Sequence, residues 1–208
     1  MSRSARDDVR EAMTEIKRAS VLDAALRVFA TKGLRGASMR AIAQEAGYVA
    51  GALYAYFPSK EHIYAAALEK SLDRLGQEIR GAAEAGASSR DRLRRAGLAY
   101  FDFYDKNPRD MDMGFYLFGG GIEPRGLSDE LDRALNRKLL DALAPIAESV
   151  TALGAPAEEA DRVVAGIFAC ASGILLLAHT RRLALFGADA RQLMLHQLDL
   201  LIESVPQR

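Results

Sequence analysis

A short segment of this chain concentrates side chains that could hold a phosphate group. Tyr54 and Tyr56 place two hydroxyl groups near Ser59 and Lys60, which start a predicted helix. Hydroxyls and an ammonium donate hydrogen bonds to phosphate oxygens, and the free amides at a helix N-terminus favour an anion. Arg40, further upstream, could hold the other flank or reach a base edge. This combination predicts a contact with nucleic acid, although an ordinary helical corner would carry similar residues.

No comparable set of residues points to catalysis. The histidines, His62, His179 and His196, lie far apart in sequence, and there is no CxxC or HExxH motif. The run Gly119–Gly121 is not followed by the lysine that a P-loop needs. We therefore expect no enzymatic activity, no metal and no cofactor. The alternative to a DNA-binding protein is a helical enzyme or a helical scaffold without a role on DNA.

The residues before the hydroxyl-rich segment predict two short helices around a turn. Ser38 can cap a helix that extends to about Ala46, and Gly47 can form the turn. A second helix is predicted over residues 50–57, where Pro58 ends it.

The predicted crossing point of these helices carries residues of the right size. Ala43 is small, and Ile42 with Leu53 can fill the space beneath. Such packing is typical of a helix-turn-helix, whose second helix lies in the major groove.

Three segments of the chain strongly resemble the N-terminal domain of tetracycline-repressor (TetR) family regulators. They are VLDAALRVFATKG (21–33), SMRAIAQEAG (38–47) and LYAYFPSKEHIYAAAL (53–68), so the resemblance covers about residues 20–68. In that family the three-helix unit binds DNA. The positions that match, together with outward positions of the second helix, give the candidate DNA contacts Ser38, Arg40, Tyr48, Ala50, Gly51, Tyr54, Tyr56 and Lys60.

The chain departs from the family where bases would be read. Val49, Ala50 and Ala55 stand where family members often carry polar, aromatic or histidine residues. We therefore expect more reliance on apolar contact with thymine methyl groups and on phosphate contacts.

Apolar residues recur at helical spacing along nearly the whole chain, which predicts an all-α protein of about nine helices. Residues 1–13 lack apolar anchors, so a flexible arm is expected there. The resemblance implies a helix-turn-helix domain at 14–65 and a helical effector-binding and dimerisation domain at 66–208. The other predicted helices cover residues 14–31, 59–84, 91–106, 128–153, 156–185 and 189–205, with an irregular segment at 109–127.

Aromatic and methionine side chains cluster between Tyr100 and Phe118. Such side chains line adaptable apolar pockets, although most of them belong to the core in any protein. The candidate effector-pocket residues are Phe101, Tyr104, Met111, Met113, Phe115, Tyr116, Phe118 and His179. For His179 a hydrogen-bonded core or interface position is the alternative.

The last two predicted helices are apolar around more than one face, which requires burial on both sides. A four-helix bundle with a second copy achieves this, as does a central helix buried inside one subunit. Ala165, Ala169 and Gly173 would allow close approach of helices. The candidate dimer-interface residues are Val164, Phe168, Ala171, Leu175, Leu198 and Ile202.

Composition sets further bounds. Lys and Arg number 28 and Asp and Glu number 28, so a basic total does not identify a DNA-binding protein here. One cysteine, the absence of a signal-like apolar block and the absence of a long uninterrupted apolar run predict a cytoplasmic protein without a membrane partner. We expect a homodimeric repressor that binds a near-palindromic double-stranded DNA operator and is released by a small, mostly apolar effector; an activator is the alternative within the family.

Overall fold

The computed structural model describes residues 5–114 and 127–205, and these ranges contain nine α-helices and no strand. The all-α class predicted from apolar spacing is therefore confirmed. The helices are α1 Ala5–Gly36, α2 Met39–Ala46, α3 Ala50–Leu53, α4 Lys60–Glu84, α5 Ser89–Lys106, α6 Pro108–Gly114, α7 Asp129–Thr151, α8 Ala157–His179 and α9 Ala190–Glu203. A short 3-10 helix, Leu183–Phe186, follows α8.

The chain forms two compact units. The first comprises the described parts of Met1–Lys70 and Met113–Leu135, and the second comprises those of Ser71–Asp112 and Asn136–Arg208. Sequence reasoning placed one boundary near residue 65 and assigned everything after it to a single domain. It could not anticipate that a later stretch of chain belongs to the first unit, because periodicity carries no information on which helices meet.

The segment predicted to be a flexible arm, residues 1–13, is helical from Ala5 onward. Asp7 and Asp8 lie in the first turn of α1, where negative charge is favourable. Thr14 Oγ1 donates to the carbonyl of Arg10 at 2.9 Å. The prediction was wrong because it used burial as its only criterion, whereas this exposed stretch, free of glycine and proline, is helical by local propensity.

The core of the first unit forms around the inner face of α1 and the start of α4. Val21, Ala24 and Ala25 are fully buried. Phe29 of α1 and Tyr64 of α4 meet edge to face with ring centroids 5.1 Å apart. The Tyr64 hydroxyl donates to the carbonyl of Met113 at 2.6 Å, so the returning segment is also joined to this core.

The core of the second unit lies among α5, α8 and α9, which pack pairwise. The largest fully buried side chains of α5 and α8 are Leu93, Tyr100, Phe101, Phe103, Ile167 and Leu175. Two arginine–aspartate pairs join α5 and α9 at its edge: Arg94 with Asp199, and Arg191 with Asp102. The hydrogen bond from Arg94 holds the pKa of Asp199 below its ordinary value.

Several helix ends agree with the predicted caps. Ser38, Ser128 and Asp189 each accept a hydrogen bond from a backbone amide three residues further on. These side chains satisfy amides that have no partner within the helix.

Two predicted boundaries were wrong. The stretch 109–127 begins with α6, because Pro108 fits the first position of a helix and Asp110 lies in its first turn. The helix expected to extend to 185 ends at His179, where Arg181 adopts a left-handed conformation with φ 58°. Glycine usually marks such an end, so an arginine there gave no signal.

The apolar composition of α8 makes it a candidate membrane span, which the count of uninterrupted apolar residues did not show. Among the described residues, α8 alone is long and apolar enough to cross a membrane by length and composition. One such helix is weak evidence, because the core helix of a soluble protein passes the same test. One face of α8, including Val163, Ile167 and Leu175, is buried within the second unit.

Gly86 provides a test of packing in the second unit. A Cβ added there would lie 2.6 Å from the backbone nitrogen of Arg92, a contact that backbone atoms cannot relieve locally. We expect Gly86→Ala to lower the free energy of unfolding by about 1–3 kcal/mol, as measured by urea denaturation. Gly81→Ala is the matched control, since nothing lies within 4 Å of its added Cβ. The control should gain about 0.5–1 kcal/mol from helix propensity; equal stability of both variants would contradict this account.

Candidate nucleic-acid interface

The turn between α2 and α3 has the geometry that its sequence predicts. Ser38 Oγ accepts from the amide of Ala41 at 3.2 Å and so fixes the start of α2. Gly47 is left-handed, with φ 74° and ψ 26°, which glycine adopts without steric cost. The amide of Tyr48 then donates back to the carbonyl of Ala43 at 2.8 Å, so the chain leaves α2 in a fixed direction.

Buried residues hold α3 against α2. Ile42 and Leu53 are fully buried, and Ala43 is nearly so. The predicted roles of a small residue at the crossing and of two apolar anchors agree with this packing.

The second helix of the motif is shorter than predicted. It comprises Ala50–Leu53, and the amides of Tyr56 and Phe57 both donate to the carbonyl of Leu53 at 2.9 Å. Val49, which precedes it, makes no side-chain capping bond. A helix of this length depends on contacts with its surroundings for its orientation.

The candidate DNA-contact residues differ in accessibility. Arg40, Gly51 and Tyr54 are exposed, and 58% of Tyr54 is accessible. Tyr48, Ala50 and Tyr56 are half-buried, while Ser38 is exposed with its hydroxyl oxygen already accepting from Ala41. Val49 was not among the candidates, yet 77% of it is exposed beside Gly51. We call Val49, Gly51, Tyr54 and Ala55, all exposed, the α3 face.

Lys60, a predicted phosphate contact, has other partners in the chain without DNA. Its Nζ donates to the carbonyls of Leu34 and Ala37, both at 2.9 Å, and to that of Arg35 at 3.4 Å. Three acceptors match the three donors of an ammonium. In the chain without DNA the ammonium is thus bound by backbone carbonyls, and the predicted phosphate contact of Lys60 stays a prediction.

A second cation near the motif escaped sequence reasoning altogether. Arg18 Nη1 donates to the carbonyl of Tyr56 at 2.9 Å, and its guanidinium carbon lies 4.4 Å from the centre of the Phe57 ring. In the sequence, Arg18 is one of several charges on a polar helical stretch. Its position shortly before the buried Val21 is the only feature that distinguishes Arg18 from those other charges.

The chemistry available at this face is hydrogen bonding and apolar contact. Within residues 5–114 and 127–205, no group of three or more His, Cys, Asp or Glu side chains could hold a metal ion. Arg40 and the tyrosine hydroxyls supply donors, and Val49 with Ala55 supplies apolar surface.

The described candidates for the effector pocket belong to both units. Phe101, Tyr104 and Met111 are buried in the second unit, whereas Met113 is buried in the first. The candidates Phe115, Tyr116 and Phe118 lie outside the described residues. His179 is exposed in the last turn of α8, and its contact with an effector stays a prediction.

Burial changes the acidity of two tyrosines of α5, Tyr100 and Tyr104. Tyr100 and Tyr104 meet edge to face with ring centroids 5.2 Å apart. Removal from water raises the pKa of both hydroxyls above the ordinary value. The buried Oγ atom of Ser172 lies near the Tyr100 hydroxyl, and a hydrogen bond between them opposes part of the rise in the pKa of Tyr100.

The predicted dimer-interface residues are mostly internal to one chain. Ala171, Leu175, Leu198 and Ile202 are buried within the second unit, so their assignment to an intermolecular surface was wrong. Val164 and Phe168 are half-buried. Helices that are apolar on several faces do not reveal from sequence which face packs internally.

The exposed apolar surface lies on a different face of α8. Ala165, Ala169 and Gly173 are exposed at four-residue spacing, and Leu176 continues the row with 55% of its surface accessible. Leu200 of α9 is 47% accessible. We call the row on α8 the small-residue stripe.

The helix-turn-helix lies in a region that a known protein family shares. Residues 21–67 match the family of bacterial regulatory proteins called the tetR family. The matched region contains α2, α3 and the Lys60 contacts described above.

Two curated relatives share this region. The transcriptional activator FasR of Mycolicibacterium smegmatis is 38% identical over 89 residues, which cover 43% of this chain and 41% of FasR. The transcriptional repressor KstR of the same organism is 39% identical over 77 residues, covering 37% of this chain and 38% of KstR. The chain thus matches about two-fifths of the length of these relatives.

Solved structures extend the likeness to nearly the whole chain, at the level of the fold. The fatty acid degradation regulator FadR of Bacillus halodurans superposes with a TM-score of 0.70 at 19% identity. The superposition covers 92% of this chain and 97% of the FadR chain. FadR of Bacillus subtilis, solved in complex with stearoyl-CoA, has a TM-score of 0.70 at 18% identity, with 90% and 99% covered. Residues 21–67 thus match the tetR family of bacterial regulatory proteins, and the chain shares the fold of these solved structures.

Proposed function

We propose that this protein is a ligand-responsive transcriptional regulator that binds double-stranded DNA. The observation that carries the proposal is the exposed α3 face, held on a buried helix-turn-helix core inside the region that matches the tetR family. A helical enzyme or scaffold would have no need for an exposed short helix of this kind.

In the proposed complex the α3 face lies in the major groove. Val49 and Ala55 are suited to contact thymine methyl groups, and Gly51 permits close approach of the backbone. Arg40, on α2, is free to reach the phosphate chain, and the Tyr54 hydroxyl can donate to a phosphate oxygen. The half-buried Tyr48 and Tyr56 and the capping Ser38 would lie at the edge of this contact.

We further propose that the protein acts as a homodimer joined through the small-residue stripe and the exposed side of α9. Small side chains let two helices approach closely, and the burial of Leu176 and Leu200 would remove apolar surface from water. This arrangement also accounts for the composition of α8 without a membrane, since one face is buried in the chain and the other would be buried in the partner. A two-fold dimer would bind a near-palindromic operator.

The effector in this proposal is a small molecule with a large apolar part, of the acyl type. Support comes from the aromatic interior around Tyr100 and Phe101, and from the buried Ser172 Oγ beside it. The stearoyl-CoA bound to the Bacillus subtilis FadR structure is a ligand of this class.

We propose repression as the mode of action, in the cytoplasm of a bacterial cell. An effector that prefers a conformation with poor fit to the operator would lower the population of the DNA-binding form. The curated relatives include both repressors and an activator, so transcription from the bound promoter, with and without effector, decides between the two modes.

Arg40 tests the DNA contact. We expect Arg40→Ala to weaken binding to operator and non-specific duplexes alike, and to reduce the slope of log K against log salt by about 0.9, the value for one lost phosphate contact. Fluorescence anisotropy with DNA from around the gene would measure both. Arg109→Ala, which removes the same charge from an exposed position on α6, is the control and should change neither quantity. Absence of site-specific binding by the wild type would overturn the proposed function.

Ala169 tests the dimer. Glutamate at this position would place a charge in the proposed helix contact, where desolvation is costly. We expect Ala169→Glu to be monomeric at concentrations where the wild type is dimeric, as measured by sedimentation velocity. Ala157→Glu, exposed at the start of α8 and outside the stripe, should remain dimeric. A dimeric Ala169→Glu variant would exclude the stripe as the interface.

Stearoyl-CoA is the first probe of the effector. We expect it to lower the fraction of operator bound by the wild type, with the effect increasing with acyl chain length because each buried methylene adds about 0.8 kcal/mol. Free coenzyme A is the control that separates recognition of the chain from recognition of the nucleotide. If no acyl-CoA in such a series changes operator binding, the acyl class is wrong while DNA binding stands.

A further inference from the structure

The α3 face carries almost no groups that form hydrogen bonds. Of its members, Val49, Gly51, Tyr54 and Ala55, only Tyr54 has a polar group in its side chain, the hydroxyl. Proteins that recognise bases by hydrogen bonds do so mainly with arginine, lysine, asparagine, glutamine or carboxylate side chains. None of these residue types belongs to the α3 face, so another kind of contact must provide sequence specificity.

The polar residues of α2 do not replace the missing groups. Arg40 and Gln44 are exposed, and the exposed Glu45 accepts from Arg27 at 2.6 Å. The first helix of a helix-turn-helix crosses the sugar–phosphate backbone, while the second enters the groove. In the proposed complex Arg40 and Gln44 therefore lie at the phosphates, and the base edges meet the residues of α3.

Val49 has little role in the stability of its own chain. Its side chain is 77% exposed, and it stands at the N-cap of α3 without a side-chain hydrogen bond. Ser, Thr, Asp and Asn are the favoured residues at an N-cap, and valine is among the poorest. Neither packing nor capping explains this valine, which leaves contact with something outside the chain.

Gly51 lacks a side chain at a place where one would fit. It lies inside α3, its φ is not left-handed, and an added Cβ would meet nothing within 4 Å. Glycine is less favourable than alanine within a helix, so the free chain gains nothing from it. The missing side chain instead leaves room beside Val49 for another surface to approach the backbone.

The major groove offers one apolar group to such a surface. Among the groups on the base edges, only the C5 methyl of thymine is apolar. Contact with this methyl does not depend on whether the neighbouring group is the O4 acceptor of thymine or the N4 donor of cytosine. 5-Methylcytosine carries a methyl group on the same ring carbon, and it therefore presents the same apolar surface as thymine.

We propose that the α3 face recognises the C5 methyl group of a pyrimidine irrespective of the base that carries it, so that 5-methylcytosine can replace thymine in the operator. The proposal rests on the DNA-binding function proposed above. It goes beyond that function because it makes operator binding respond to cytosine methylation. Val49 is then a residue that determines specificity, whereas Arg40 and Tyr54 contribute affinity through the phosphates.

Two pairs of duplexes test the proposal, and the members of each pair differ by one methyl group. Replacing a thymine of the bound duplex by deoxyuridine should weaken binding about fourfold at a contacted position, the effect of one buried methylene-sized group. At the same position, a 5-methylcytosine–guanine pair should bind about fourfold more tightly than a cytosine–guanine pair. Fluorescence anisotropy at one fixed salt concentration measures all four affinities.

Two valine variants separate direct contact from an effect of the methyl group on DNA shape. Val49→Ala should reduce the methyl effect in both pairs, because the two groups are then coupled in a double-mutant cycle. Val9→Ala removes the same atoms from an exposed position on α1, outside the region 21–67, and should keep the wild-type methyl effect. Since Val49 is exposed, its variant should unfold at the same temperature as the wild type.

Three results would overturn the inference while site-specific DNA binding stands. They are full tolerance of deoxyuridine at every thymine, equal binding of cytosine and 5-methylcytosine at a position where deoxyuridine weakens binding, and a methyl effect that Val49→Ala leaves unchanged at every position. Wild-type protein without site-specific binding would instead overturn the proposed function, and the inference with it.

Discussion

The structure of the first unit depends on one constraint: α3 is too short to hold its own orientation. Four helical residues supply almost no cooperative hydrogen bonding, so the surroundings must fix the α3 face. Leu53 anchors it from below, Gly47 sets the angle at which it leaves α2, and the Tyr56 carbonyl is held from α1. The exposed side is therefore free to carry residues chosen for contact, such as Val49 and Tyr54, without loss of stability.

The parts of this arrangement that sequence reasoning predicted have local causes. Ser38 and Gly47 act through their own backbone and the next few residues, so their roles follow from residue type and spacing. The parts that it missed have distant causes. Arg18 acts 38 residues away from its own position, and the buried face of α8 is set by packing against α5 and α9, which an all-round apolar pattern does not specify. The helical start of α1 was missed for another reason, because the prediction considered burial alone and gave no weight to helix propensity.

The second unit raises a different physical question, that of access. Tyr100, Phe101 and Phe103 are almost wholly buried, and Tyr100 lies against Phe168 with ring centroids 5.8 Å apart. A ligand that binds among these side chains must separate rings that now pack on each other. Packed interiors respond to such a change by discrete rearrangement more than by gradual deformation. The close packing of α5, α8 and α9 is thus compatible with a switch between two arrangements. For such a switch, the apolar ligand would have to gain more free energy on binding than the ring contacts that it replaces.

The acceptors of Lys60 have an evolutionary consequence. They are main-chain oxygens, which every amino acid supplies, so Leu34, Arg35 and Ala37 can be exchanged for other residues of suitable size without loss of the hydrogen bonds. The contact therefore constrains position 60 alone. Among descendants of this gene it would leave no paired substitutions, and covariation between columns of an alignment would not reveal it, although it joins residues 23 to 26 positions apart. Contacts of this kind become visible only in three dimensions.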